Sequence, residues 1–290
     1  MTRILLTGRT GQVGGELVNA LAPLGEVLAC ERSRLDLSDP ASIIAAVREF
    51  NPAIIVNAAA YTAVDRAETE SALAMAVNGA APALLAEEAR RLDALLVHYS
   101  TDYVFDGSKP EAYTEDDTPG PLSEYGRSKL AGDRAVQASG AKHLILRTSW
   151  IYGATGKNFL VTIRRLAAER AELRVVNDQF GAPTWARDIA TATRAILARA
   201  AQGGAPSGIY NLSAQGRASW YEFAAAILEN TRASAGRASP QLVPIPTSEY
   251  PTPAVRPRNS VLSPAKLRRT FGVELPHWRT SLTACLGSAA

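Results

Sequence analysis

Apolar and polar positions along this chain switch repeatedly between two periods, and the switches predict its elements. Short β-type runs recur at 3–7, 26–30, 53–57, 94–98 and 143–147. Between the first two, Val13, Leu17, Val18 and Leu21 repeat with helical spacing. The turn Leu35–Pro40 leads into another helix, with Pro40 at its first position. A long helical pattern covers 65–92, with Asn78 in its middle and Pro82 marking a break or restart. A further helix-like segment opens near Tyr125. This β-α alternation predicts an α/β fold with a doubly wound parallel sheet of the Rossmann type.

Beyond Ser149 the alternation is less regular. Residues 150–153 read as the end of the fifth strand. Helices are expected at 158–170, 186–201 and 220–230, and strands at 173–176 and 208–212. Residues 177–184 form a polar, turn-rich loop, and 203–206 and 234–240 read as loops. The stretch 245–260 is rich in proline and carries Arg256 and Arg258. These segments predict a smaller α/β C-terminal lobe over the C-terminal edge of the sheet, where ligands of such folds bind. The expected division is a dinucleotide-binding domain at 1–150 and a mainly substrate-binding lobe at 151–290, some of whose segments return to the first domain.

Composition narrows the class. The chain has 290 residues, of which 47% are hydrophobic, enough for a large core. Its net charge is +3, with no lysine-rich run, which argues against nucleic acid as a main partner. Cys30 and Cys285 lie far apart and form neither a disulfide framework nor a metal pattern. The first strand begins at once and no apolar run is long enough for a span, so a cytoplasmic location without membrane contact is expected.

Two stretches carry candidate chemistry. Gly8, Gly11 and Gly14 lie between the first strand and the first helix, with Gln12 and Val13 among them. Glycines there let the backbone turn tightly against a pyrophosphate, which rests on the helix N-terminus. A bare strand–helix turn is the plainer reading, but the place of the motif at the start of a βα unit favours a dinucleotide. Glu31, ending the second strand, can bond adenosine ribose hydroxyls and so favours NAD, whereas Arg32 and Arg34 suit a 2′-phosphate. Both NADPH and NADH stay open. Asp36 and Leu37 would lie near the adenine, and Ala59, Ala60 and Tyr61 end the third strand with small residues that let a cofactor lie flat.

The second stretch is 98–129. It gives Ser100, Thr101 and Asp102 at a strand end, then a turn-rich loop, then Tyr125 and Lys129 one helical turn apart. A lysine ammonium beside a tyrosine hydroxyl would lower its pKa and fit it for proton transfer. A threonine hydroxyl near by could bond the same substrate oxygen. An isolated Tyr-x-x-x-Lys reads as an ordinary exposed helix, so the case rests on the glycine turn that precedes it. His98 lies within an apolar run and reads as a core histidine.

These residues, with the stretches 56–68, 97–107, 125–133, 146–153, 175–186 and 250–262, resemble the dTDP-4-dehydrorhamnose reductase family of the extended short-chain dehydrogenase/reductases. The resemblance spans nearly the whole chain. It implies that NADPH or NADH reduces the C4 ketone of dTDP-4-dehydro-6-deoxy-L-mannose to dTDP-L-rhamnose, a nucleotide-sugar substrate class. It implies Tyr125 as proton donor, Lys129 on the nicotinamide ribose and Thr101 polarising the carbonyl. Asp102 would contact the sugar, Trp150 would pack on its ring and Arg256 would reach the diphosphate. Gly11, Gln12 and Val13 would line the pyrophosphate. Some relatives are described as binding Mg²⁺ through carboxylates at a dimer interface. Glu16 fits one such position, but Arg187 stands where another carboxylate is expected, so no metal site is assigned and a monomer or homodimer is expected. Rival readings are a non-catalytic nucleotide-binding regulatory subunit and a reductase or epimerase of another nucleotide sugar. The complete Thr101, Tyr125 and Lys129 set opposes the first. Tyr103 after Asp102, where a dehydratase would carry glutamate, opposes dehydration.

Overall fold

Strand β1 (Thr2–Thr7) lies between β2 (Gly25–Cys30) and β3 (Ile54–Asn57), and β3 is followed by β4 (Leu95–Thr101) and β5 (His143–Thr148). The strand Gly208–Asn211 closes the far edge, and every pairing in this six-stranded sheet is parallel. The computed structural model describes residues 1–203, 206–235 and 240–288. The loops expected at 203–206 and 234–240 thus fall largely outside the described residues.

The strands read as unbroken apolar runs because both faces of the sheet are covered. Side chains alternate between the faces. Ile4, Leu6, Val56, Val97, Leu144 and Leu146 pack on one side against α1 (Gln12–Leu21) and the helix Ala186–Gly203. Leu5, Ile55, Leu96 and Ile145 pack on the other against α2 (Pro40–Phe50) and the helix Ala81–Arg91. Each such leucine or isoleucine contributes about 2 kcal/mol by leaving water. Apolar character ends at the C-terminal strand ends, where Thr7, Asn57, Thr101 and Thr148 are buried but polar. The chain winds from β1 outward in both directions, so a crevice opens between β1 and β3 at that edge.

The second half adds a separate core. Strands Glu172–Val176 and Gln241–Ile245 pair in parallel beside the helices Phe159–Glu169 and Trp220–Ala235. Tyr152, Leu160, Phe223, Ile227, Trp278 and Leu282 fill the space between them.

Two local expectations change. The pattern at 65–92 is not one helix. It divides into α3 (Val64–Ala67), α4 (Ser71–Met75), a π turn at Ala76–Ala80 and α5 (Ala81–Arg91), with Pro82 in the first turn of α5. The Ala81 N–H bonds back to the Ala76 carbonyl, so Pro82 falls where the hydrogen-bond ladder passes from the π turn into the α-helix. The fifth strand stops at Thr148. Trp150 then takes a left-handed φ of 44°, and Ile151–Tyr152 pairs with Thr184–Trp185 in a different ladder. A side chain in that conformation costs about 1–2 kcal/mol, so the surrounding contacts must hold it.

Candidate active site

The glycine turn has the shape its spacing requires. Gly8 has φ +75°, and a Cβ there would lie 2.8 Å from the Ala59 nitrogen. A Cβ on Gly14 would lie 2.0 Å from the Gly8 carbonyl oxygen. The Gly11 N–H donates to that same oxygen at 2.9 Å. Gly11 caps α1 without a side-chain bond, and the first turn carries no acid. The unsatisfied N–H groups and positive dipole end of α1 therefore face the crevice. Backbone approach and charge both fit a pyrophosphate, so these residues suit a dinucleotide.

Around this turn the other predicted cofactor residues are placed as follows. Gln12 donates to the Thr155 carbonyl at 2.9 Å and accepts from Asn158 at 3.2 Å, tying the turn to the second half. Val13 and Leu37 are buried in the two cores, so the Leu37 side chain is a packing group rather than an adenine contact. Glu31 pairs with Arg9 at 3.5 Å, Arg32 with Asp36 at 3.0 Å and Arg34 with Glu49 at 3.7 Å. Asp36 accepts from the Ser38 amide and hydroxyl, which hold its carboxyl below the usual range.

Ala59, Ala60 and Tyr61 follow β3 along the crevice. This loop is pinned from behind by Asn78 in the π turn. The Asn78 amide accepts from the Tyr61 N–H at 2.8 Å and donates to the Tyr61 carbonyl and the Ser128 hydroxyl, each at 3.0 Å. Gly132 lets α6 (Glu124–Ala138) approach this turn, since a Cβ there would lie 2.1 Å from the Asn78 carbonyl oxygen. The π turn thus joins the crevice loop to the helix carrying Tyr125 and Lys129. Periodicity alone gives Asn78 no role; an asparagine beside Gly79 in a helical run is the signal that the sequence offers.

At the end of β4, the Thr101 hydroxyl is near enough to the Tyr125 phenol to act on its ionisation. Ser123 caps α6 by accepting from the Gly126 N–H at 3.1 Å. Tyr125 is pushed up to about 12 by burial, with the Thr101 hydroxyl pulling the other way. This reverses the expectation that Lys129 lowers it. The Lys129 ammonium is not directed at the phenol; it donates to the Tyr99 carbonyl at 2.7 Å and lies 3.4 Å from His98 Nε2. Lys129 is 2% exposed and pulled down to about 8 by burial, with Asp133 opposing. Tyr125 is therefore held as a neutral phenol at neutral pH, which suits a donor.

Asp102 is 2% exposed and accepts from Ser149 at 2.9 Å and Thr101 at 3.0 Å. Burial raises its carboxyl to about 6, while hydroxyls of Ser260, Ser149 and Thr101 oppose. It supports the floor of the site beneath Thr101 rather than lying open to a ligand.

The second half supplies a cavity of about 590 Å³. Phe159, Trp220 and Tyr250 give it aromatic walls, and Gln179, Thr252 and Arg256 give polar ones. Tyr125 and Thr101 do not line it; it extends the site away from the acid–base pair. Arg256 donates to Asp65 at 2.9 Å, which holds the Asp65 carboxyl below its usual range. Trp150 stacks on Trp220 at 3.5 Å between ring centroids, and Gly181 packs on the Trp150 indole, where a Cβ would lie 2.3 Å away. The ring expected to pack on the sugar is thus engaged with Trp220. Phe159, Gln179, Trp220 and Tyr250 were not singled out from sequence, because they meet only in the fold.

Glu16, the position weighed for magnesium, is not free to hold it. Glu16 already pairs with Arg187 at 3.2 Å, and a cation beside that guanidinium is repelled. Among the described residues no three His, Cys, Asp or Glu side chains cluster for a metal.

The chain is similar to known proteins over nearly its whole length. The family model described as the RmlD substrate binding domain matches residues 1–290. A dTDP-4-dehydrorhamnose reductase of Burkholderia thailandensis is 50% identical, covering 98% of both chains. One from Escherichia coli is 45% identical, covering 98% of this chain and 96% of that one. The crystal structure of dTDP-4-dehydrorhamnose reductase from Bacillus anthracis in complex with NADP is 34% identical, with a TM-score of 0.91, covering 99% of this chain and 100% of that one.

Proposed function

The chain belongs to the RmlD substrate binding domain family, and we propose that it is an NADPH-dependent dTDP-4-dehydrorhamnose reductase. It reduces the C4 ketone of dTDP-4-dehydro-6-deoxy-L-mannose to the alcohol of dTDP-L-rhamnose. The observation that carries this reading is the half-buried Tyr125 phenol, held neutral near Thr101 at the C-terminal end of β4.

The nicotinamide, when bound, supplies the hydride. The Tyr125 phenol bonds the C4 oxygen, joined by the Thr101 hydroxyl once its proton turns from Asp102 Oδ1 to the substrate. As charge builds on that oxygen, Tyr125 gives its proton. A phenol at about 12 still transfers readily to an alkoxide, whose conjugate acid is far weaker. Lys129 holds the nicotinamide ribose with its remaining N–H donors. The glycine turn and the α1 N-terminus hold the pyrophosphate. Arg256, freed from Asp65 or shared with it, bonds the sugar-nucleotide diphosphate as a planar fork. The aromatic cavity beyond it takes the nucleoside end. Residues 1–150 thus serve mainly the cofactor and 151–290 mainly the substrate.

NADPH is the preferred cofactor on this reading, supported by the NADP complex of the Bacillus anthracis relative. Among the described residues no helix is long and apolar enough to cross a membrane, which is compatible with work in the cytoplasm as a monomer or homodimer. The test is product analysis. Protein, NADPH and dTDP-4-dehydro-6-deoxy-L-mannose must yield dTDP-L-rhamnose with matching loss of NADPH. Cofactor binding without consumption refutes the assignment.

A further inference from the structure

Behind Lys129 runs a buried polar chain that the reaction above does not use. The Ala59 N–H, at the crevice, donates to Thr7 Oγ1 at 3.1 Å. The single Thr7 hydroxyl proton goes to Asn57 Oδ1 at 2.8 Å. That bond orients the Asn57 amide and leaves its Nδ2 facing His98 Nδ1 at 3.1 Å. An amide nitrogen can only donate, so His98 Nδ1 accepts and the neutral ring carries its proton on Nε2.

The proton on Nε2 has two neighbours. One is Lys129 Nζ at 3.4 Å. The other is Asp133 Oδ1 at 3.9 Å, an oxygen with no hydrogen-bond partner. Ser100 donates to the other Asp133 oxygen at 2.8 Å, and Arg147 pairs with it at 3.3 Å. The charged groups facing Lys129 are therefore Asp133 on its own helix and Arg147 behind it on β5, with His98 on β4. An ammonium has three donors and no acceptor. Toward His98 only the neutral amine can complete a hydrogen bond.

We propose that Thr7, Asn57 and His98 form a positioning chain for Lys129: they lock His98 as the Nε2–H tautomer, so that the lysine meets a donor and carries an exchangeable proton instead of a permanent charge. The chain begins at the backbone of the crevice loop and ends at the lysine, so it also links the cofactor floor to the acid–base helix. Burial of His98 and the charge of Lys129, which hold the imidazole well below its ordinary value, act in the same direction. The relevance to turnover rests on the reductase reading, but the tautomer and the lysine titration do not.

The test uses the whole protein without substrate, so it is independent of activity. The chain has three histidines, and ¹⁵N spectra of labelled imidazoles separate the two neutral tautomers. Wild-type His98 is expected as Nε2–H across neutral pH; an Nδ1–H or doubly protonated ring overturns the proposal. Asn57→Asp presents an acceptor to Nδ1. His98 should then become Nδ1–H, and the Lys129 titration, followed by its ¹³Cε shift, should move up by about one to three pH units. A flipped tautomer with an unmoved lysine overturns the proposal, as does a moved lysine with an unflipped tautomer. Should Asn57→Asp fail to fold, Thr7→Val removes the proton that orients Asn57. Its His98 should then show both tautomers, and a single unchanged Nε2–H form overturns the lock.

Discussion

The dinucleotide crevice and the aromatic cavity are coded in opposite ways. The crevice is built from short, contiguous pieces. Gly8 to Gly14 make one turn, closed by the bond from Gly11 to Gly8, and the loop after β3 lies directly against it. The cavity draws on residues 159–179, 220 and 245–256, and its arginine reaches back 191 positions to Asp65. The first is a local property of sequence, the second a property of the assembled chain. The difference follows from what each must bind. A pyrophosphate needs backbone N–H groups and a helix end, which a few glycines supply. A sugar nucleotide needs walls and separate polar anchors, which loops on a fixed scaffold supply.

That contrast can be broken from either side. The largest effect is expected where the two regions meet. Tyr125→Phe should lower kcat by about 10²- to 10⁴-fold, while NADPH affinity, measured by titration calorimetry, stays within a factor of two or so. An undiminished kcat would remove Tyr125 from the chemistry. Next comes the crevice alone. Gly14→Ala drives a methyl into the Gly8 carbonyl. A strain of about 1–3 kcal/mol should weaken NADPH binding by roughly tenfold or more and leave dTDP binding unchanged. Equal loss of both ligands would mean that the two regions are not separable.

Arg256→Leu is the converse test. Loss of a charged hydrogen-bond donor, about 1.5–3 kcal/mol, should raise KM for the sugar nucleotide tenfold or more and spare NADPH. A changed NADPH affinity would place Arg256 in the wrong region. A smaller effect concerns the floor shared by both. Asp102 is raised to about 6 in the fold, above its unfolded value near 3.9. The fold therefore favours the protonated carboxyl. That advantage is complete below the unfolded value and is lost as pH rises through about 6. Asp102→Asn cannot ionise, so its stability relative to wild type should improve by roughly 1–3 kcal/mol between acid and neutral pH. Chemical denaturation of both proteins at the two pH values measures this; a pH-independent difference would show that the fold does not shift the Asp102 carboxyl.

The same contrast explains what could be read in the sequence. The parallel sheet, the glycine turn and the Tyr125–Lys129 spacing depend on periodicity and near neighbours, and each could be seen in the chain. The direction of the Tyr125 shift could not. It depends on how far the assembled site strips water from the phenol, and Lys129 turns instead to the Tyr99 carbonyl and His98, which β4 brings from 30 and 31 positions away. Trp150 was legible as a site residue only by resemblance. Its left-handed backbone and its stack on Trp220 come from a ladder between Ile151–Tyr152 and Thr184–Trp185 that no local pattern announces. Leu37 was assigned to the adenine by its position, but its apolar side chain is buried in the core beside α2. The break within 65–92 falls at residues 68–70, between α3 and α4, whereas the π turn continues the helix, which alanine-rich sequence permits without any mark in its pattern.

The account turns on hydride delivery to C4 of the sugar with the proton supplied by the protein. The most direct measurement is turnover with NADPH deuterated at the nicotinamide C4, followed by NMR of the isolated product. Deuterium carried only at C4 of dTDP-L-rhamnose, one per NADPH consumed, is the predicted result. Deuterium at another sugar carbon, or product formed without net consumption of NADPH, would contradict the account and point to a different reaction in the same crevice.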